Sequence, residues 1–151
     1  MLIAICIATT LFIVCGAFHY SVLVRVSALC KRYVSSQFIA MQITLISAGL
    51  AHLLEAALYA GGFQLARLLE LGGFNMSQPA SAMDIFYFSI VNYTSLGLGD
   101  IYPTGHLRFL AGVESLNGFL LISCSASALF MQMKSAGENS QKSDIAGESA
   151  R

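Results

Sequence analysis

Residues Tyr93-Thr94-Ser95-Leu96-Gly97-Leu98-Gly99-Asp100 hold the spacing in this chain most able to do chemistry. Two glycines two apart, then an acid, sit between a short apolar segment and a long one. Glycine adopts backbone angles closed to other residues, so successive carbonyls of such a strand can turn toward one axis. Backbone at membrane depth must satisfy its polar groups internally, or line water or ions with them. The stretch is therefore either an external turn or the lining of a pore. The surrounding elements decide which.

The 151 residues are 56% hydrophobic and 11% charged, with eight basic residues, eight acidic residues and no Trp. Mean hydropathy is +0.71. Soluble domains carry about 25% charged residues, so this composition belongs in lipid. Three apolar runs, at 2–24, 38–60 and 107–131, are long enough to cross a bilayer, which takes about 20 helical residues. A fourth, 85–93, is too short to span and reads as re-entrant. The first run lacks the positive segment and small-residue cleavage site of a secretory signal, so it is expected to remain as an anchor.

Basic residues set the expected topology. Arg25, Lys31 and Arg32 fall between the first two runs, Lys134, Lys142 and Arg151 follow the third, and Arg67 and Arg108 lie on the other side. The positive-inside rule then puts the N-terminus outside and the C-terminus in the cytoplasm of a multi-pass protein of the cell (inner or plasma) membrane. The expected domains are an N-terminal anchor helix and cytoplasmic loop (1–32), a pore domain (33–134) and a disordered cytoplasmic tail (135–151). The tail's Ser, Gly, Glu, Lys, Asn and Gln bury too little surface to order it. Cys6, Cys15 and Cys124 lie in apolar runs as small hydrophobes. Cys30 is either an idle thiol or a palmitoylation site. No nucleophile–base set or metal spacing is visible, so the protein is expected to be no enzyme, to hold no cofactor or resident metal, and to bind lipid rather than nucleic acid.

Two further elements are readable. Residues 63–71, bracketed by Gly61-Gly62 and Gly72-Gly73, are expected to form a short interfacial helix with Arg67 and Glu70 paired. Ser81-Ala82-Met83-Asp84 has the form of a capping box and predicts a helix of about three turns from Ala82. Pro103 ends regular structure beyond the glycines.

Residues 83 to about 133, with the second apolar run before them, resemble the pore domain of the tetrameric potassium-channel superfamily, in particular the small two-helix ion-channel family. That family's filter, Thr-(Val/Ile)-Gly-(Tyr/Phe)-Gly-Asp, is matched by Ser95, Leu96, Gly97, Leu98, Gly99 and Asp100. Its following Pro, inner-helix Arg and frequent Glu and Gly fall on Pro103, Arg108, Glu114 and Gly118. The resemblance implies an all-α membrane protein, with three transmembrane helices plus a re-entrant pore helix and selectivity-filter loop, assembled as a homotetramer. It also implies that family's known mechanism: backbone carbonyls of four loops replace the hydration shell of K+, the permeating ion. The pore helix would turn its partially negative C-terminus to the cation, Ser95 would add an innermost oxygen, and Asp84 and Asp100 would make the outer mouth acidic.

Two residues depart from the pattern. Leu98 stands where the family has an aromatic ring that packs on pore-helix aromatics and holds the filter's width; Leu98 is expected against Tyr87, Phe88 or Tyr93. Ser95 lacks the methyl of Thr. The expected function is passive, potassium-selective conduction. The alternatives are a weakly selective monovalent cation channel and a non-conducting membrane scaffold or regulatory subunit. No sensor domain or arginine series is visible, which leaves room for an unidentified gating partner.

Ionisable groups within spans mark function by default. His52, Glu55 and Glu114 are expected either to support the filter from behind, reaching Asp100 or Asn92, or to have separate lesser roles, with Glu55 at the interface and His52 on a carbonyl. On the third run, Glu114, Gly118, Leu121, Ser125, Ala128 and Gln132 share one stripe, while Leu116, Leu120, Ser123, Ser127 and Phe130 share the opposite one. The resemblance assigns Leu120, Ser123 and Ser127 to the cavity. His19 has no evident partner in the sequence.

Overall fold

The structure, a computed structural model, describes residues 1–76 and 80–149, and side chains through 135. Its elements run α1 (Leu2–Tyr33), α2 (Gln37–Leu68), β1 (Phe74–Asn75), α3 (Ala82–Tyr93), β2 (Tyr102–Pro103) and α4 (Leu107–Ser149). Three helices, Leu2–Tyr33, Gln37–Leu68 and Leu107–Ser135, are long and apolar enough to cross a membrane. The all-α, multi-span membrane architecture expected from the sequence is therefore present.

The helices begin and end where local chemistry directs. Lys31 and Arg32 sit in the last turn of α1, where positive charge complements the partial negative end of a helix. Ser36 opens α2, its hydroxyl accepting from the Ile39 amide. At α3 the capping box is complete: the Ser81 side chain accepts from the Asp84 amide, and the Asp84 carboxylate accepts from the Ser81 amide. These bonds hold the Asp84 carboxyl below its ordinary range.

Two expectations about boundaries are corrected. α2 does not end near Ala60 but continues through Gly61 and Gly62 to Leu68, so no separate interfacial helix forms over 63–71. Helical glycine costs about 1 kcal/mol relative to Ala, and burial of Phe63 and Ala66 on the continued helix offsets it. Gly62 is also where the Leu11 side chain of α1 approaches, and a Cβ there would make its tip shift. Arg67 consequently bonds Gln64 and the Ala80 carbonyl, not Glu70. At the other end, α4 continues as helix to Ser149, over the segment whose composition predicts a disordered tail. Ser is the commonest residue there, with Ala, Glu, Gln and Lys beside two glycines, and no proline interrupts the segment.

α3 is too short to span. Its Ile85, Phe88, Ser89 and Tyr93 form one buried face at helical spacing. That face lies against both α2 and α4, while α1 packs on α2 and α4 but not on α3. Phe63, Phe74 and Phe88 meet edge to face, with centroids 5.0–5.7 Å apart, anchoring the middle of α3. A small antiparallel ladder, absent from the sequence reading, pairs Phe74 with Pro103 and Asn75 with Tyr102. Thr104 extends it: its amide donates to the Gly73 carbonyl at 2.8 Å, and its hydroxyl accepts from the Gly73 amide at 3.0 Å. The segment after the glycines is thereby tied to the segment before α3.

Candidate functional site

The loop after α3 is held from its amide side. The amides of Thr94, Ser95 and Leu96 donate to the carbonyls of Ile90, Asn92 and Val91 at 3.1, 2.9 and 3.0 Å. Among the described residues, no hydrogen bond is made to the carbonyls of residues 94–99. Backbone carbonyls are obligatory acceptors, so this row of oxygens is free for another partner. Ser95, Gly97 and Gly99 have φ of 58°, 57° and 77°, while Leu96 and Leu98 between them do not take positive φ. Alternation of positive and negative φ can turn successive carbonyls the same way, where a uniform strand would alternate them.

At its far end the loop is tied to α3 by Tyr87, whose hydroxyl donates to Asp100 at 2.9 Å. Bonding to Asp100 keeps the Tyr87 phenol above its usual range. Asp100 therefore pairs with Tyr87 and not with His52, Glu55 or Glu114. Leu96 and Leu98 are 65% and 58% exposed, so Leu98 is not packed into the α3 aromatics as expected. A Cβ on Gly99 would touch the Tyr102 hydroxyl, whereas Gly97 faces open space.

Behind the loop lie two buried polar clusters. In the first, Glu55 is wholly buried and four helices converge on it. Its carboxylate meets His19 Nδ1 of α1 at 2.9 Å, His52 Nδ1 of α2 at 3.2 Å, and the Tyr93 hydroxyl of α3. Ser125 Oγ of α4 closes the ring, lying 3.1 Å from His52 Nε2 and 3.0 Å from His19 Nε2. The imidazoles are stacked, with centroids 4.8 Å apart and planes 28° apart. His52 and Glu55 thus belong together, and His19, without evident partner in the sequence, is the third member.

His19, His52 and Glu55 bring metal-ligating atoms within 4.8 Å of one another. A coordinated metal lies in the plane of each imidazole, about 2.0–2.1 Å from nitrogen. Stacked rings so nearly parallel do not share such a point. As the rings stand, the arrangement suits the sharing of protons.

In the second cluster, Glu114 is fully buried between α2, α3 and α4. It is hydrogen-bonded to the Ser89 hydroxyl and accepts from Asn92 Nδ2 at 2.6 Å. Asn92 Nδ2 also donates to the Ala111 carbonyl at 2.8 Å, and Ser115 Oγ donates to the Asn92 backbone carbonyl at 2.9 Å. Ser89 Oγ lies 2.6 Å from the Ala56 carbonyl. One hydroxyl proton faces two acceptors, and a protonated Glu114 donating to Ser89 completes the set. Glu114 therefore reaches Asn92, as expected, but belongs to a cluster separate from His52 and Glu55.

On α4 the two stripes separate as the sequence indicates. Glu114, Gly118, Leu121 and Ser125 are buried, while Leu116, Leu120, Ser123 and Ser127 are exposed. The Ser123 and Ser127 hydroxyls donate back to the Phe119 and Ser123 carbonyls. Gly118 lies directly beneath the Tyr93 carbonyl, too close to admit a Cβ. It is a packing glycine that lets α4 meet the end of α3.

Sequence reasoning missed Tyr93, Ser89, Ser125 and His19 as members of these clusters. Tyr93 and Ser125 carried a faint signal, polar atoms on otherwise apolar helix faces. Comparison with protein-family models matches residues 50–135, more than half of the chain, to a family described as an ion channel. No curated protein and no solved structure matches.

Proposed function

The chain belongs to this ion-channel family, and from that premise we propose that it is a passive, potassium-preferring cation channel, its filter built from residues 95–100 of four copies. In this reading α3 is the re-entrant pore helix, and the carbonyls of Ser95, Leu96, Gly97, Leu98 and Gly99 replace the hydration shell of K+. The observation that carries it is the unclaimed carbonyl row with positive φ at every second residue. Asp100 sits at the outer mouth, held by Tyr87. The exposed stripe of Leu120, Ser123 and Ser127 lines the cavity. One loop cannot surround an ion, so the wall requires further copies of the chain. The N-terminus lies outside and the C-terminus in the cytoplasm.

The exposure of Leu98 favours one second reading, a monovalent cation channel of weaker selectivity. A side chain unpacked from α3 leaves the filter's width less constrained. Cation flux into proteoliposomes, with reversal potentials in mixed potassium and sodium, tests both readings. A strong potassium preference supports the first and near-equal permeabilities the second. Gly97→Ala forces a side chain into left-handed backbone, which costs about 1–2 kcal/mol per residue and is expected to abolish conduction. Tetramers that pass no cation under any condition would instead mark a scaffold or regulatory subunit.

A further inference from the structure

The ring of groups around Glu55 holds more acceptors than ordinary protonation states can serve. With both histidines neutral and Glu55 ionised, the movable protons are one on each imidazole, one on Ser125 and one on Tyr93. The contacts needing a proton are His19–Glu55, Tyr93–Glu55, His52–Ser125, Ser125–His19, and the three-centre approach of His52 Nδ1 to Glu55 and Tyr93. Every choice of tautomers leaves one bare lone pair against another acceptor in a buried setting. One added proton removes the conflict. His52 as imidazolium donates through Nδ1 to Glu55 and through Nε2 to Ser125. Ser125 then donates to His19 Nε2, His19 Nδ1 donates to Glu55, and Tyr93 donates to Glu55. The loaded ring is also neutral overall, one positive charge against one negative.

We propose that this ring is a proton-binding regulatory site, at which one proton shared by His52 and Glu55 ties α1 and α2 to Tyr93 and so to the base of the filter. The regulatory part rests on the conduction reading above. Location gives the proton its leverage. α1 makes no backbone approach to α3, so the two are joined through the ring, by His19–Glu55–Tyr93 and by His19–Ser125–His52–Tyr93. Tyr93 is the last residue of α3, and the loop of free carbonyls follows at once.

The groups facing the ring are few. α1 contributes His19, with the Cys15 thiol close by, and α2 contributes His52, Glu55 and nearby Tyr59. α3 contributes Tyr93 and α4 contributes Ser125, while Glu114 of α4 is engaged with Ser89 and Asn92. Among the described residues no Lys or Arg forms an ion pair with Glu55. No fixed positive charge therefore stands in for the proton. The His52 side chain, 20% exposed, is the member with room to swing away when the proton leaves. Acid locks the ring and holds Tyr93. Alkaline conditions set His52 Nδ1 against the carboxylate and release it.

The test joins a proton count to a flux measurement on the full-length channel. Histidine ring 15N shifts are followed from about pH 5 to 8.5, spanning the range in which imidazoles titrate. His52 is expected to take up one proton while His19 keeps its neutral Nδ1-protonated tautomer, and Glu55→Gln is expected to abolish that uptake. In proteoliposomes, flux should fall about tenfold or more as pH rises through the same midpoint, the scale of one lost charged hydrogen bond. His52→Gln should flatten that curve. Ser125→Ala, which removes the partner of both Nε2 atoms and leaves both contacts to Glu55, should weaken the His52 proton uptake and free the His19 tautomer, and serves if His52→Gln fails to fold. A His52 response indifferent to Glu55→Gln, or a proton taken up at His19 instead, overturns the site, and a flux curve flat in the parent overturns its regulatory role. Absence of flux at every pH overturns the conduction reading alone, and the 15N titration then still decides the proton site.

Discussion

Glu114 separates a protonated from an ionised carboxyl by simple substitution. Its two oxygens face the Ser89 hydroxyl and the Asn92 amide, and the Ser89 proton is also wanted by the Ala56 carbonyl. A neutral Glu114 donates on one side and accepts on the other, as a glutamine does. Glu114→Gln is therefore expected to keep both bonds and to stay within about 1 kcal/mol of the parent, in the range of volume-conserving swaps. Glu114→Ala removes both bonds, each worth about 1–3 kcal/mol when a buried partner is left behind. It also opens a void where the carboxyethyl group stood, and large-to-small core changes cost about 2–5 kcal/mol. With the terms overlapping, the loss is expected at about 3–6 kcal/mol. The chain has no Trp, so unfolding in detergent is followed by helical circular dichroism against denaturant. Should Gln prove as damaging as Ala, the carboxyl is ionised and the proton count at Ser89 is wrong.

Three further outcomes are expected. Gly118→Ala drives a methyl into the Tyr93 carbonyl and should cost about 1–3 kcal/mol, whereas Gly112→Ala meets open space and should stabilise by up to about 1 kcal/mol; thermal unfolding of the pair checks both. The Asp84 carboxyl is held low by its bonds to Ser81, so its contribution is present above the ordinary carboxylate value of about 3.9 and fades as pH falls through the lowered value. The stability curves of the parent and Asp84→Asn should accordingly converge in acid. Tyr87→Phe frees Asp100 from α3 and should change the potassium-to-sodium permeability ratio. The raised Tyr87 phenol keeps the parent's bond intact at neutral pH and loses it only as pH rises through that raised value, so the two proteins should differ up to strongly alkaline conditions.

Much of the fold is legible because it rests on local signals. The three long helices follow from apolar length, and α3 from a capping box and a buried face at helical spacing. Boundaries were harder to read. Gly61-Gly62 looks like a break, but tertiary burial of Phe63 and close packing of Leu11 decide the matter, and neither is a local property. At the site, Gly97 and Gly99 announce their positive φ, whereas Ser95 takes the same conformation without a glycine to signal it. The pairing of His52 with Glu55 was visible from their spacing of three. His19 lies 36 residues from Glu55 and Ser125 lies 106 from His19. Such contacts depend on how α1 and α4 pack across α2, and spacing within one helix carries no trace of that.

Two halves of the loop are treated in opposite ways, which bears directly on what completes it. Its base is over-determined from within the chain: Tyr93 is gripped by Glu55 and His52 through its hydroxyl and backed by Gly118 at its carbonyl. Asn92 is bonded to Ala111, Glu114 and Ser115. Its outer wall is left bare, with Leu96 and Leu98 uncovered and the carbonyls unclaimed. A surface turn needs no such foundation, since water serves its oxygens and a little wander costs nothing. Heavy investment in fixing one end, beside polar backbone left open at the other, suits oxygens that must meet a partner at a fixed radius. In the conduction reading proposed above, a cation shared between copies of the chain sets that requirement, because coordination in place of a hydration shell depends on where each carbonyl stands.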